Sequence, residues 1–354
     1  MKQHIINQDE PLRVALERLN TLSGGVMTLL VVDRDGRMSG TLTDGDVRRA
    51  LLAGTTLEAR VADAMHRGFK WLSAGDVNPC DMQRYRCMGL RLIPVLDADR
   101  RVVRIVDTRT VRNLLPLSAI LMAGGRGERL RPLTLTTPKP LLKVGDRAII
   151  DYNVEALASV GVDDITVITN YLAEQIHDHF ATPVGGVSVK CVREPEFLGT
   201  IGAVGLVDDD RQGNATIVMN SDLLTTVSFE DMYFRHMTCG NDITIGVIPY
   251  NVSVPFAILE TDGDRVTALT EKPTYAYYAN AGIYIISNEL LSTLDGKTRM
   301  DAPDFITGMI GRGKRVGYFP INGTWIDIGS PLDFNHACEL MRHHNQFSAG
   351  HDGK

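Results

Sequence analysis

The chain has 354 residues, 44% hydrophobic and 23% charged, with 37 Lys plus Arg against 43 Asp plus Glu for a formal net charge of −6. At about 150 residues per domain this predicts two or three globular domains, and the mild acidity excludes a global pull on nucleic acid or an anionic membrane. No apolar run approaches the roughly 20 residues of a membrane helix. The opening Met1-Lys2-Gln3-His4 does not read as a secretory signal, and five scattered cysteines with no Cys-x-x-Cys pair fit reduced thiols, so a cytoplasmic location is expected.

Residues 1–115 repeat themselves. Leu29-Leu30-Val31-Val32-Asp33 returns as Leu92-Ile93-Pro94-Val95-Leu96-Asp97, with 64 positions between Asp33 and Asp97. Thr43-Asp44-Gly45-Asp46-Val47-Arg48-Arg49 returns, more worn, as Val106-Asp107-Thr108-Arg109-Thr110-Val111-Arg112. Each copy reads as helix, apolar strand, Asp-Gly-type turn, second strand, then a helix opening at the Thr-Asp position. A repeated unit of this size pairs with its twin to bury a shared face.

This pair, best seen at Gly40-Thr41-Leu42-Thr43-Asp44-Gly45-Asp46, resembles a CBS-domain pair. The resemblance implies that Thr43 and Asp46 hold the phosphate and ribose of an adenosine nucleotide (AMP, ADP or ATP). Val106 and Arg109 stand at those places in the second copy, so at most one such site is expected. A purely structural dimerisation module is the alternative, and a homo-oligomer is expected on either reading.

From residue 116 to about 345 strand and helix patterns alternate, with 346–354 expected to fray. Strands are predicted at Ala119–Met122, Ile165–Thr169, Val187–Val192, Thr216–Asn220, Ile243–Ile248 and Gly282–Ile286, and helices at Ile149–Ser159 and Glu174–Phe180. Continuous apolar strands between helices predict βαβ units around a largely parallel sheet. A last helix opens with Ser330 as its cap, Pro331 in its first position and Asp333 in the capping-box place. His177 and His179 lie two residues apart, on different faces of a helix, and predict solvent exposure rather than a metal site.

The most informative stretch runs from Ala119-Ile120-Leu121-Met122-Ala123 into Gly124-Gly125-Arg126-Gly127-Glu128-Arg129-Leu130-Arg131-Pro132-Leu133-Thr134 and on to Pro138-Lys139-Pro140. Glycines let backbone N–H groups approach phosphate oxygens closely, and Arg126, Arg129, Arg131 and Lys139 add charge. The turn lacks the Gly-Lys-Ser/Thr of a P-loop, and Leu130 stands where a dinucleotide fingerprint needs its third glycine.

This stretch resembles the signature of the sugar-1-phosphate nucleotidyltransferases, with further motifs in family order from about Ser118 to Arg342. The implied fold is α/β: a Rossmann-like mixed, mostly parallel sheet, preceded here by the α+β CBS pair. The resemblance implies that Leu121, Ala123, Gly124, Gly125 and Gly127 line a nucleoside triphosphate and that Arg129 and Lys139 neutralise its phosphates. Glu194 and Leu198-Gly199-Thr200-Ile201-Gly202 match the segment beside the nucleobase, with Ile201 where Ala is usual. Asp222, in Asn220-Ser221-Asp222, and Asp327, in Trp325-Ile326-Asp327-Ile328-Gly329, match the magnesium carboxylates, with Ser221 where Gly is usual. Glu271, Lys272, Asn280 and Gly282 match positions that hold the sugar and its phosphate.

Guanine presents two neighbouring donors that one carboxylate accepts, so Glu194 or Glu196 hints at GTP over UTP, CTP or dTTP. A solvated glutamate ahead of a helix is the alternative. The expected activity is Mg²⁺-dependent formation of a nucleotide-sugar and pyrophosphate for surface glycans, with adenosine-nucleotide regulation. The competing expectation is a non-catalytic energy sensor, which would have no use for metal carboxylates.

Overall fold

The computed structural model describes residues 2–74, 79–208 and 211–349. The chain divides into two compact units, Met1–Leu115 with Ser159–Gly161, and Pro116–Ala158 with Val162–Lys354.

In the first unit β1 (Ile5–Asn7), α1 (Leu12–Thr21), β2 (Thr28–Val32), β3 (Met38–Thr43) and α2 (Asp44–Leu52) form one copy of the repeat. The other comprises β4 (Leu72–Ser73), α3 (Pro79–Cys87), β5 (Leu92–Leu96) and β6 (Val102–Asp107). Each copy makes a three-stranded sheet, β1-β2-β3 and β4-β5-β6, whose first pair is parallel and second antiparallel. Ile6, Leu12, Ala15, Leu29, Val31, Leu42 and Val47 are fully buried in the first copy, as its apolar pattern requires.

The helix expected to open near Asp107 in the second copy is absent: residues 108–110 form a turn and 111–116 carry no regular structure. In the first copy Thr43 and Asp46 close a capping box over the start of α2. Val106 has no acceptor to offer as a cap, and Arg109 has only donors, so neither half of that box can form. Asp107 instead accepts from the Arg109 backbone at 2.9 Å and from its guanidinium at 2.7 Å, closing a tight turn.

The second unit begins with β7 (Leu117–Ala123), the short pair β8 (Lys143–Val144) and β9 (Arg147–Ala148), α4 (Ile149–Ser159), β10 (Ile165–Thr169), α5 (Ala173–His179) and β11 (Val189–Arg193). It continues through β12 (Ala215–Asn220), β13 (Leu223–Thr225), α6 (Phe229–Cys239), β14 (Ile243–Ser253), β15 (Ile258–Asp262), β16 (Arg265–Thr270) and β17 (Thr274–Ser287). α7 (Asn288–Leu291), α8 (Ala302–Gly311), β18 (Val316–Pro320), β19 (Trp325–Asp327) and α9 (Pro331–Ala349) complete it.

The seven-stranded sheet has the order β11-β10-β7-β12-β17-β14-β18, and only β17 runs against the rest. Its mixed, mostly parallel character is the one expected. β7, β10 and β12 are buried almost throughout, because helices cover both faces of their apolar runs. From β7 the chain builds outward to β11, then returns to place β12 on the other side. The crevice above β7 and β12 is therefore the switch point at which open sheets of this kind bind ligands.

Three expectations need correction. β14 and β17 run well past the predicted Ile243–Ile248 and Gly282–Ile286, as an exposed two-stranded arm capped by the β15–β16 hairpin. Burial stops where the arm leaves the sheet, so the apolar runs used to find the strands stop there too. His177 is exposed as expected, with its Nε2 3.0 Å from Thr169 Oγ1, whereas His179 is half-buried with its Nε2 2.6 Å from Asp151 Oδ1. The terminal helix continues to Ala349 beyond the predicted end at 345, while residues 350–354 of the expected tail lie outside the described residues. Its start is as predicted, with the Ser330 hydroxyl 2.7 Å from Asp333.

Candidate active site

The glycine turn leaves the carboxyl end of β7, and its shape is set by close contacts. Gly124 is buried against Glu194, and a Cβ there would overlap the Glu194 carboxylate. Gly127 adopts φ 60°, and a Cβ would stand 2.9 Å from Thr134 Cγ2 and 3.2 Å from Lys139 Cβ. A side chain at either position would displace a neighbour, and at Gly127 it would also strain the backbone. Thr134 donates to the Gly127 carbonyl at 2.8 Å, so the turn folds back over the segment that carries Lys139.

Across the crevice, β12 delivers Asp222. Ser221 is buried and donates to the Met122 carbonyl at 2.7 Å, tying the ends of β7 and β12 together. The departure from the usual glycine therefore adds an anchor. β13 pairs antiparallel with β19, in a register that sets Leu223 opposite Asp327. The Ile328 amide donates to the Asp222 carbonyl at 3.2 Å. This short two-stranded ladder brings two acidic residues 105 positions apart to the same place.

Lys139 lies between them. Its ammonium is hydrogen-bonded to Asp222 Oδ2 and stands 3.6 Å from Asp327 Oδ1, with its side chain only 12% exposed. The other Asp222 oxygen, Oδ1, is buried and has no hydrogen-bond partner among the described residues. Arg129 approaches from the glycine turn, its guanidinium packed against Gly329. Burial and the neighbouring Asp222 push the Asp327 carboxyl above its usual range, while Lys139 and Arg129 oppose that shift. Two carboxylates and two cations thus share one pocket edge. Among the described residues no cluster of three or more His, Cys, Asp or Glu forms a ready-made metal cage.

The expected nucleotide-binding residues divide into groups. Leu121 and Ala123 have their side chains in the core, so they meet a ligand only through backbone. Gly125 is exposed and open. Glu194 is 2% exposed, and its Oε2 accepts from the Leu198 amide at 3.0 Å. Burial pushes its carboxyl above the usual range. It braces the glycine turn against the Leu198 loop, while Glu196 stands exposed. Gly199, at φ 83°, packs on the Met300 carbonyl. Thr200 accepts from the Ala302 amide at 2.8 Å through its hydroxyl, so it serves as a cap on α8. Ile201, in place of the usual alanine, is wholly buried.

The sugar-side residues also divide. Gly282 (φ 69°) sits against Asn220, beside the Asp222 strand. Asn280 accepts from the Gly282 amide at 3.0 Å and donates to the Tyr284 hydroxyl at 2.7 Å. Glu271 and Lys272 are exposed on the arm, Lys272 with φ 44°, and no hydrogen bond or ion pair among the described residues links them to the Lys139 cluster. In the first unit Asp46 Oδ2 accepts from both the Thr43 amide (2.8 Å) and hydroxyl (2.6 Å), and its Oδ1 accepts from Arg49 at 2.5 Å.

Sequence reasoning missed Asn153. It is 2% exposed on α4 and donates to the carbonyls of Ser221 and Leu223, at 3.3 and 3.0 Å, on either side of Asp222. A polar residue within an apolar helix face was the available signal.

A nucleotidyl transferase family model matches residues 118–343, and a CBS domain model matches residues 3–53. A mannose-1-phosphate guanyltransferase of Kluyveromyces lactis is 33% identical over 241 residues, 62% of this chain and 63% of that protein. Mannose-1-phosphate guanylyltransferase 1 of Arabidopsis thaliana is 31% identical over 229 residues, with the same coverages. The chain thus spans less than two-thirds of the length of the curated relatives it matches. The crystal structure of HddC from Yersinia pseudotuberculosis shares the fold, with a TM-score of 0.50 and 23% identity over 64% of this chain and 99% of that one.

Replacing Asn153 with alanine leaves two buried carbonyls unpaired at about 1–3 kcal/mol each. Asn153→Ala is expected to lower unfolding stability by that order in a denaturant titration. If its stability matched wild type, Asn153 would not anchor the Asp222 turn.

Proposed function

Because the chain belongs to the nucleotidyl transferase family and carries a CBS domain, we propose that it transfers a nucleoside monophosphate from a nucleoside triphosphate to a sugar 1-phosphate and releases pyrophosphate. The observation that carries this reading is the meeting of Lys139 with Asp222 and Asp327, beside the glycine turn and Arg129, at the switch point of the sheet. GTP is the proposed donor and mannose 1-phosphate the first acceptor to try, since the relatives at 31–33% identity carry the names of mannose-1-phosphate guanylyltransferases.

In this reaction a phosphate oxygen of the sugar attacks the α-phosphorus, the bond from that phosphorus to the bridging oxygen breaks, and the electron pair leaves on pyrophosphate. A phosphate monoester has its second pKa near ~6, so the nucleophile is already a dianion at neutral pH and needs no general base. What remains is holding anions together in line and offsetting their charge. The backbone of Gly124, Gly125 and Gly127 supplies amides for the triphosphate, Arg129 and Lys139 offset charge on the departing pyrophosphate, and Asn280 and Gly282 border the acceptor side. Glu271 and Lys272 reach the sugar phosphate in this reading only if the arm bends toward the crevice.

The donor set fits magnesium: all-oxygen ligands, few carboxylates and one buried Asp222 oxygen with no partner among the described residues. Asp222 and Asp327 would hold the ion, which when bound supplies positive charge to phosphate oxygens. In the first unit an adenosine nucleotide would meet Thr43 and Asp46. Asp46 already serves as partner to Thr43 and Arg49, so ribose must compete with those bonds.

With GTP and mannose 1-phosphate the protein is expected to release pyrophosphate. Asp222→Ala should abolish turnover, and Lys139→Ala should lower kcat by about 10²–10³-fold, the effect of removing one preorganised charge donor. No turnover with any pairing of GTP, UTP, CTP or dTTP with a panel of sugar phosphates would leave the energy-sensor reading in its place.

Lys139 stands between the two carboxylates. Lys139→Met is therefore expected to bind Mn²⁺ more tightly than wild type in the absence of nucleotide, measured by electron paramagnetic resonance. Equal or weaker binding would show that the ammonium does not compete for that place.

A further inference from the structure

Nine of the 23 large hydrophobic side chains that stand exposed among the described residues lie between positions 249 and 279, under a tenth of the chain. This is the arm built from the outer halves of β14 and β17 and the β15–β16 hairpin. A two-stranded ribbon with neither face covered is marginally stable in water. Proteins that keep such strands to themselves blunt them with charge, which holds the strands in solvent and discourages association. Here residues 243–259 and 273–287 contain no Asp, Glu, Lys or Arg.

The register sorts the side chains by face. Tyr250 pairs with Tyr277 and Val252 with Tyr275, so these four share one face of the ribbon, each between 40 and 58% exposed. Asn251, Ser253 and Thr274 lie on the opposite face, where the Ser253 and Thr274 hydroxyls are hydrogen-bonded at 3.0 Å. Tyr278 is on that second face as well and packs on Tyr318 of β18, with ring centroids 5.1 Å apart. The second face thus has partners of its own. No hydrogen bond or ring contact among the described residues reaches Tyr250, Tyr275 or Tyr277. In the hairpin Leu259 faces Leu269 and Val266 stands opposite Thr261, two positions along, which gathers three more exposed apolar side chains on one side.

These features select the occupant. A face that carries net charge repels its own image across a two-fold axis; the ribbon carries none. Tyrosine is enriched and charge depleted at the centre of protein interfaces. At half exposure, the seven apolar side chains offer on the order of 600 Å² per copy, which in a symmetric pair reaches the size at which specific interfaces begin.

We propose that two copies of the chain associate through the tyrosine face of this arm, with Tyr250 and Tyr277 at its centre. The contact is isologous: each copy covers the other's ribbon with the same residues. It is separate from any joining of copies through the first unit, and it does not depend on the activity proposed above.

The test measures the mass of the full chain by sedimentation velocity at micromolar concentrations. Tyr250→Asp/Tyr277→Asp sets two carboxylates on the face and is expected to halve the wild-type mass. That change is dimer to monomer, or tetramer to dimer if the first unit also joins copies. Tyr250→Ser/Tyr277→Ser removes the rings without adding charge and should move dissociation to at least tenfold higher protein concentration. Asn251→Asp/Ser253→Asp places the same charge on the opposite face and should keep the wild-type mass.

A wild type that sediments as a monomer overturns the proposal, and so do tyrosine variants that keep the wild-type mass. Equal loss of mass in the Asn251/Ser253 variant overturns it too, because charge then acts through the folding of the ribbon rather than through one face. A monomeric wild type that floats with phosphatidylcholine vesicles would give the face to a lipid surface instead. Far-UV circular dichroism matching wild type confirms that the variants are folded.

Discussion

The structure of the crevice turns on one electrostatic constraint: Asp222 and Asp327 are held close enough to oppose each other, and Lys139 is held between them. At an effective dielectric of about 20, two unit charges ~4 Å apart interact by about 4 kcal/mol, attractive or repulsive according to sign. A pair of carboxylates on one strand ladder is therefore unfavourable unless a cation stands by. Lys139 is that cation, and Pro138 and Pro140 on either side stiffen the backbone that presents it. The β13–β19 ladder, Ser221 on Met122 and Asn153 under the turn all fix the carboxylates. Gly127 and Thr134 fix the lysine's segment. Each of these contacts makes sense as a brace against repulsion or as a means of keeping the cation in reach.

The same arrangement bears on the proposed binding of a polyphosphate in the crevice. On the proposed reading, an anion that arrives with its own divalent cation brings less net charge than the bare anion to a site that already balances two negative and two positive groups. On that reading Lys139 turns from the carboxylates to phosphate oxygens, Arg129 joins it from the glycine turn, and the carboxylates would hold the metal. Partners are exchanged, and no charge is left buried alone, the outcome that costs most in a protein interior.

Much of this was legible in the residues. β7, β10 and β12 announce themselves as apolar runs because both faces are covered, and α4 falls on its predicted Ile149–Ser159. Glycines at 124 and 127 were read as letting backbone approach a phosphate; the neighbours that crowd them within the chain are Glu194, Thr134 and Lys139. What sequence could not supply was partner choice. The Thr200 hydroxyl caps α8 a hundred residues away, and Glu194 braces the glycine turn from the Leu198 loop. Both are long-range bonds that local pattern does not encode. The arm formed by β14 and β17 escaped for the opposite reason: it buries almost nothing, so no periodic apolar signal marks its length. Tyr275, Tyr277 and Tyr278, all favourable in strands, and the turn at Gly263 were the traces it left.

The two repeats show how one residue can settle both local structure and chemistry. Asp46 is the acceptor that closes the capping box of α2, and with Thr43 it starts a helix within two residues of β3. At the matching place Arg109 has donors alone, so no box closes and no helix begins. The segment that would have been helix instead runs without regular structure from 111 to 116 and joins β7 at Leu117. The same exchange of a carboxylate for a guanidinium alters the charge at the strand ends by two units, and Asp107 offsets it by pairing with Arg109. A helix start tolerates a negative side chain because its amides are unpaired there. The second copy has no helix start at this place, and its guanidinium pairs with Asp107 instead.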